Sequence, residues 1–113
     1  MAQVLNIPKG DAKVIHMQVR RVDSVTCDLT GYDSAIMEIY DDRYDLTMPT
    51  MTWNTLDSTR AIFYDRPTGQ LEFFVNSSDT NLLDFKQYFM KVEIIKDTSH
   101  IYTIFEGLLQ ISR

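Results

Sequence analysis

Three residues of this chain carry the side chains that most often ligate metals or act as nucleophiles and bases, namely His16, Cys27 and His100. Zinc sites bring such ligands together, and the ligands commonly occur in pairs a few residues apart. Here the three lie far from one another along the chain. We therefore interpret each histidine as a core or surface residue, and we predict no metal site and no cofactor.

An acidic stretch at residues 41–45 (Asp-Asp-Arg-Tyr-Asp) superficially resembles a calcium-binding loop. That loop requires an internal glycine for its sharp turn and a closing bidentate glutamate. Both are missing from this stretch. The sequence therefore predicts no calcium site.

Nucleophilic catalysis requires a serine, threonine or cysteine that a neighbouring base activates. The pair Ser77-Ser78 lies outside any Gly-x-Ser-x-Gly motif, and we interpret it as a cap or turn. The four glycines are scattered singly, so they cannot build a glycine-rich phosphate loop. The sequence thus predicts that the protein is not an enzyme.

Length and charge restrict the classes of partner. A chain of 113 residues with 44% hydrophobic residues is typical of a single globular domain, here residues 1–113. The net charge of -5 argues against nucleic acid, which needs a basic face. No apolar run is long enough to span a bilayer, and the start of the chain has no export signal, so we predict no membrane association. The lone Cys27 fits a reducing cytoplasm.

The elements that must position any functional residue are short strands. Residues 13–20 alternate, with Ile15, Met17 and Val19 on one face, and residues 34–40 and 87–95 behave similarly. Turn signals recur every 8 to 12 residues or so, which predicts an all-β antiparallel sandwich or barrel of seven to eight short strands. Residues 77–85 predict at most one short helical turn, capped by Ser78 or Asp79. In that turn, Leu82, Leu83 and Phe85 are expected to pack inward.

Residues 48–53 combine methionine and tryptophan in a loop-like setting. Met48, Met51 and Trp53 are of the types enriched at protein interfaces. Trp53 has an alternative interpretation, in which it fills the core of the sandwich.

Several strands also carry apolar residues on faces that a free sandwich would leave polar. Either a second layer covers these faces or another subunit does, and the sequence favours the subunit. The residues concerned are Phe74, Phe89, Ile95, Tyr102 and Ile104.

Several turn and strand segments follow one another in a characteristic order. These segments are Asp28-Leu29-Thr30-Gly31-Tyr32, Thr68-Gly69-Gln70-Leu71, Asp79-Thr80 with Leu82-Leu83, Gln87-Tyr88-Phe89-Met90-Lys91-Val92-Glu93, and Glu106-Gly107-Leu108-Leu109-Gln110-Ile111. In this order, over residues 10–113, the sequence resembles the Ig-like β-sandwich module of tailed-phage virion proteins, such as the N-terminal domain of the lactococcal-phage baseplate upper protein.

The resemblance implies a structural role in the virion, with assembly in the host cytoplasm. Such modules attach fibres or receptor-binding proteins to a tail, baseplate or neck, and they act in multiple copies in symmetric rings. This chain departs from the pattern in two ways. It ends directly after the last strand at Arg113, and its segment 43–59 is longer and richer in methionine, tryptophan and threonine.

On this hypothesis the first strand, residues 4–7, pairs along the edge of a neighbouring subunit. The alternative is a carbohydrate-binding sandwich in which Trp53, Tyr44 and Tyr64 stack on sugar rings. The predicted protein-interface residues are Tyr44, Met48, Met51, Trp53 and Phe89.

Overall fold

The computed structural model describes residues 4–21 and 25–113. Over these residues the chain forms eight strands and one short helix. In chain order they are β1 (Val4–Pro8), β2 (Lys13–Gln18), β3 (Ser34–Tyr40), β4 (Met51–Asn54), β5 (Ala61–Asp65), β6 (Gln70–Val75), α1 (Ser77–Asn81), β7 (Gln87–Asp97) and β8 (His100–Ser112).

The strands form two sheets that enclose the core between them. One sheet has five strands in the order β1-β8-β7-β3-β4, and the other has three in the order β2-β6-β5. The expectation of a mostly β protein with almost no helix is confirmed. The two longest strands, β7 and β8, form a hairpin at the centre of the larger sheet.

The expectation of purely antiparallel pairing is wrong for β1. Val4 to Pro8 pair in parallel with Leu108 to Ser112 of β8. A parallel pair requires a long connection between its strands, and here nearly the whole chain separates them. The turn after Pro8 carries the chain directly into β2 of the other sheet, so β1 has no hairpin partner of its own.

Alternation along the strands produces the core, as the sequence predicts. In β3 the side chains of Ala35, Met37 and Ile39 are fully buried between the sheets. Ile15 of β2 and Val92 of β7 are buried in the same cluster. Burial of a large aliphatic side chain stabilises the fold by about 2 kcal/mol, so these alternating positions define which face of each strand points inward.

Trp53 of β4 ties the two sheets together. Its indole is fully buried, and its Nε1–H donates to the carbonyl oxygen of Phe74 in β6 at 3.0 Å. A buried indole donor without an acceptor would be costly, so this bond allows the ring to lie at the centre of the core.

The turn between β5 and β6 depends on Gly69, whose φ is +73°. A Cβ at this position would lie 2.5 Å from the carbonyl oxygen of Cys27 and 2.8 Å from that of Val19. Glycine therefore permits both the left-handed turn and the close approach of neighbouring backbone.

The predicted helical turn exists as α1, but its capping differs from the prediction. The N-cap is Asn76, and Asp79 lies at the third helical position, where its Oδ2 accepts a hydrogen bond from the Asn76 N–H at 2.8 Å. Leu83 is buried as expected. Leu82 and Phe85 are 78% and 50% exposed, so the expectation that they pack inward is wrong.

Candidate interaction surface

The β3–β4 loop, residues 41–50, carries three exposed apolar side chains. Tyr44 is 88% exposed, Met48 is 81% exposed and Leu46 is 42% exposed. The structure thus places two of the predicted interface residues at the surface. Sequence reasoning missed Leu46, although its spacing of two residues from both Tyr44 and Met48 was a usable signal.

Short-range hydrogen bonds hold this loop in place. The Tyr44 N–H donates to Asp42 Oδ1 at 2.9 Å, and the Thr47 hydroxyl donates to Asp45 Oδ1 at 2.7 Å. The Thr50 N–H donates to the carbonyl oxygen of Ile39 at 2.7 Å, where the loop rejoins the sheet. Asp and Thr side chains that bond to nearby backbone in this way favour turns. The exposed apolar side chains are therefore presented by an ordered loop.

Asp42 and Asp45 accept hydrogen bonds from the loop's own N–H and hydroxyl groups. The hydroxyl and N–H of Thr47 donate to Asp45 and lower the pKa of that carboxyl below its ordinary value. Asp41 lies 3.4 Å from Lys86 Nζ. These carboxylates keep the loop negatively charged at neutral pH around its apolar side chains.

Trp53 and Met51 belong to β4 and are less accessible than the sequence suggests. Trp53 is fully buried, which confirms the alternative interpretation and corrects its assignment as a contact residue. Its indole Nε1–H is bound to Phe74, and the Arg60 guanidinium lies 4.8 Å from the ring centroid. Met51 is half-buried and packs against the core. Alternation explains why both residues are less exposed than predicted, because residues 51 and 53 lie on the face of β4 that points toward the core between the sheets.

Phe89 of β7 points away from the core, yet it is only 5% exposed. Its ring lies 6.5 Å from that of Tyr40, its register partner in β3, and 5.7 Å from the guanidinium carbon of Arg43. An arginine over an aromatic face is attracted to the ring and covers it. Phe89 is thus covered by side chains of its own chain, which corrects its assignment as an accessible contact residue.

The other apolar residues on outward positions differ in accessibility. Phe74, Ile95 and Ile104 are half-buried, whereas Tyr102 is 45% exposed, with its ring 6.4 Å from that of Tyr32. That another subunit covers these residues stays a prediction.

β1 lies at one edge of the five-stranded sheet, and β8 is its neighbour in the sheet. The expectation that residues 4–7 form a strand is confirmed. That strand is already paired on one side, so any pairing with a neighbouring subunit would use its outer edge.

The carbohydrate-binding alternative requires that Trp53, Tyr44 and Tyr64 be accessible to sugar rings, and Trp53 is not. Trp53 is buried and cannot stack on a sugar. Tyr64 is 58% exposed but packs edge-to-face against His16, with ring centroids 5.5 Å apart. Tyr44 and Tyr64 remain accessible on separate elements.

The residues first considered for chemistry lie apart from one another. His16 Nδ1 lies 3.4 Å from Glu72 Oε2, and His100 Nδ1 lies 2.8 Å from Asp97 Oδ1. Cys27 is half-buried beside the core. Within residues 4–21 and 25–113, no group of three or more His, Cys, Asp or Glu side chains could hold a metal ion.

None of the helices in the described part of the chain is long and apolar enough to cross a membrane. Comparison with protein-family models gives no match to this chain. Comparison with curated proteins gives no match either.

Proposed function

We propose that this chain is a structural protein of a bacteriophage virion, an Ig-like sandwich that joins components of the tail, baseplate or neck to one another or to fibres. The observation that carries the proposal is the β3–β4 loop, which presents Tyr44, Leu46 and Met48 to solvent on a rigid scaffold. Exposed apolar groups on an ordered loop favour attachment to a protein partner, because their burial contributes most of the binding free energy.

The strand order supports the Ig-like part of the proposal. Immunoglobulin-type sandwiches place strands B, E and D in one sheet and G, F and C in the other, with C′ added in variable-type domains. If β2 to β8 are read as B, C, C′, D, E, F and G, these seven strands have the same neighbours as in that fold. β1, read as strand A, differs, because it pairs with β8 and not with β2.

Tyr88 gives independent support for this assignment. It lies at the start of β7, after the connection that contains α1, and its hydroxyl oxygen accepts a hydrogen bond from the Asp84 N–H at 2.8 Å. Ig-like domains carry a tyrosine at the start of strand F whose hydroxyl bonds to backbone a few residues upstream.

A stable interface usually buries about 800 Å² on each partner, more than three side chains supply. The surface around the loop must therefore contribute as well, which suits a small domain held in several copies around a tail axis.

The proposal is tested first on whole particles. Phage particles induced from cells that carry the gene are purified, and their proteins are identified by mass spectrometry. We expect the chain in several copies per particle. Particles that form normally and lack the chain would contradict the proposal.

The contact surface is tested with a double variant, Tyr44→Ser with Met48→Ser. It removes the two most exposed apolar groups of the loop, so we expect incorporation into particles to fall about tenfold or more. The matched control is Leu56→Ser with Leu82→Ser, which removes two apolar side chains that are 72% and 78% exposed elsewhere. Equal incorporation of both double variants would show that the loop is not the contact surface.

A further inference from the structure

β1 leaves one edge of the five-stranded sheet open. It pairs with β8 on one side, and within the described residues no strand lies on its other side. Val4 is 50% exposed, and Asn6 and Pro8 are exposed as well. The outer edge of β1 is therefore accessible to another chain.

The direction of the β1 backbone groups follows from the pairing with β8. The Lys9 N–H, just after β1, donates to the carbonyl oxygen of Ser112 at 2.8 Å. Backbone groups of successive residues point to opposite sides of a strand. Residues 5 and 7 therefore face β8, whereas Val4, Asn6 and Pro8 face the open side.

The groups on the open side favour one pairing register. Pro8 has no N–H to donate, and its carbonyl oxygen already accepts the Asp11 N–H at 3.1 Å. The N–H and carbonyl groups of Val4 and Asn6 remain, which are two donors and two acceptors. Paired residues of an antiparallel ladder can exchange both of their hydrogen bonds. A second β1 satisfies all four groups when Val4 of each strand pairs with Asn6 of the other.

We propose that two copies of this chain pair antiparallel through the open edges of β1, about a two-fold axis at Leu5. The four hydrogen bonds between Val4 and Asn6 of the two copies join the two five-stranded sheets into one continuous sheet. The interface is isologous, because each copy contributes the same surface. The pairing does not depend on the proposed virion function.

Leu5 of each copy lies directly opposite Leu5 of the other in this register. Opposite residues that do not exchange hydrogen bonds have Cα atoms about 4.5 Å apart, so their side chains are in contact. Leu5 is half-buried and lines an opening of about 530 Å³ between the two sheets, which leaves room for the second leucine. Contact between the two leucines removes apolar surface from water and adds to the four hydrogen bonds.

The other sheet edges carry features that oppose pairing with a second chain. β4 has only four residues, and the Arg60 guanidinium donates to its Thr52 carbonyl at 3.4 Å. β5 has a register shift between Phe63 and Asp65, and β2 begins at the charged Lys13. β1 carries no charged residue and pairs in register along its length. Chains of net charge -5 can therefore approach each other here without like charges on the paired strands.

The expected dimer is weak. Pairing through three residues of each strand buries less than the roughly 800 Å² per partner of a stable interface. We expect the dimer to be populated at chain concentrations of about 100 μM and above. Multiple copies held close together would raise the effective concentration and favour the pairing.

Disulfide formation tests the register. Leu5→Cys, made in a Cys27→Ser background, places two thiols opposite each other across the two-fold axis. The matched control is Asn6→Cys in the same background, whose side chain is more exposed but lies opposite Val4 of the other copy. After oxidation with diamide at about 100 μM chain, non-reducing gels should show at least about fivefold more linked dimer for Leu5→Cys.

Proline substitution tests the hydrogen bonds. Asn6→Pro removes the outward N–H, and with it two of the four bonds of the dimer, while the bonds of residues 5 and 7 to β8 remain. We expect the dissociation constant of the dimer, measured by analytical ultracentrifugation, to rise about tenfold or more. Asn6→Ala keeps the N–H and should dimerise as the wild type does. Far-ultraviolet circular dichroism and thermal melting check that each variant is folded.

A chain that stays monomeric at about 1 mM would overturn the proposal. Equal disulfide yields from Leu5→Cys and Asn6→Cys, or equal dissociation constants for Asn6→Pro and Asn6→Ala, would do the same. If the chain does not dimerise and a different protein slows hydrogen exchange at the Val4 and Asn6 amides, the edge belongs to that protein and the proposal is also overturned. The variants of the β3–β4 loop leave β1 intact, so the two proposals succeed or fail separately.

Discussion

At the scale of single residues, the most consequential polar contact is the pair formed by Arg60 and Asp79. Arg60 Nη1 lies 2.8 Å from both carboxylate oxygens of Asp79, and the two side chains are 21% and 11% exposed. Asp79 also accepts the Asn76 N–H at the start of α1. One carboxylate therefore links the residue before β5, the start of α1 and, through the guanidinium near the Trp53 ring, the centre of the core.

We predict that Asp79→Asn lowers the free energy of unfolding by about 2–3 kcal/mol, because it leaves a mostly buried guanidinium without its charged partner. Urea denaturation at neutral pH measures the loss. The matched control is Asp41→Asn, which removes the 69% exposed partner of Lys86 and should cost about 0.5 kcal/mol or less. Equal losses in the two variants would contradict the structural role of the Arg60–Asp79 pair.

At the scale of elements, the connections decide how the strands come together. The turn before β6 brings the backbone of Gly69 against the segment that contains Cys27 and against the end of the β2 segment at Val19. The Gly69 carbonyl accepts the Val19 N–H at 2.8 Å, and the Val19 carbonyl accepts the Cys27 N–H at 3.0 Å. A single turn thereby holds together the end of the β2 segment, the start of β6 and the segment that contains Cys27.

Gly69→Ala is expected to destabilise the protein by about 2–4 kcal/mol, since it combines a strained positive φ with a clash against two carbonyl oxygens. Thermal and urea unfolding measure the change. Gly31→Ala serves as the control, because the nearest atom to its new Cβ is Lys96 Cε at 4.0 Å. We expect Gly31→Ala to stay within about 0.5 kcal/mol of the wild type. A tolerated Gly69→Ala would show that the turn rearranges easily.

At the scale of the whole molecule, stability at alkaline pH depends on a buried phenol. Burial, together with the nearby carboxylates of Glu38 and Glu93, raises the pKa of Tyr40 to about 12 from an ordinary value of 10.0. Below pH 10 the phenol is protonated in the folded and the unfolded states alike. Between pH 10 and 12 the unfolded state loses its proton first, so the stability present below pH 10 is lost as the pH rises.

We predict that the wild type loses about 2 kcal/mol more stability than Tyr40→Phe between pH 9 and pH 12. Urea unfolding at several pH values measures both proteins, and the subtraction removes the contribution of the other titrating groups. Parallel pH profiles for the two proteins would contradict the assignment. The absorbance of tyrosinate gives a second measure, because the pKa of Tyr40 is raised to about 12.

The sequence was most informative where a local pattern and the tertiary structure agree. Alternation in β3 identifies Ala35, Met37 and Ile39 as core residues, because a strand with one buried face must alternate. Residue type alone did not separate core from surface for Trp53 and Phe89. Trp53 is buried because a carbonyl oxygen of the facing sheet accepts its N–H, and Phe89 because Arg43 from a distant loop covers it.

The parallel pairing of β1 was beyond the reach of local patterns. It joins residues 4–8 to residues 108–112, near the other end of the chain, and no periodicity in residues 4–8 encodes the partner strand. The β3–β4 loop lies between these cases. Its exposed residues were predicted in part from composition, but its ordered conformation depends on hydrogen bonds that the carboxylates of Asp42 and Asp45 accept.

The parallel β1–β8 pair also determines how this protein would respond to tension. Val4 begins one strand, and Ser112 ends the other at the opposite end of the pair. A pull applied at the two ends of the chain would therefore slide β1 and β8 past each other along their length. All five register pairs would bear the load together, whereas an antiparallel hairpin pulled from its open end would unzip one bond at a time. A module built in this way resists force along the line of its termini.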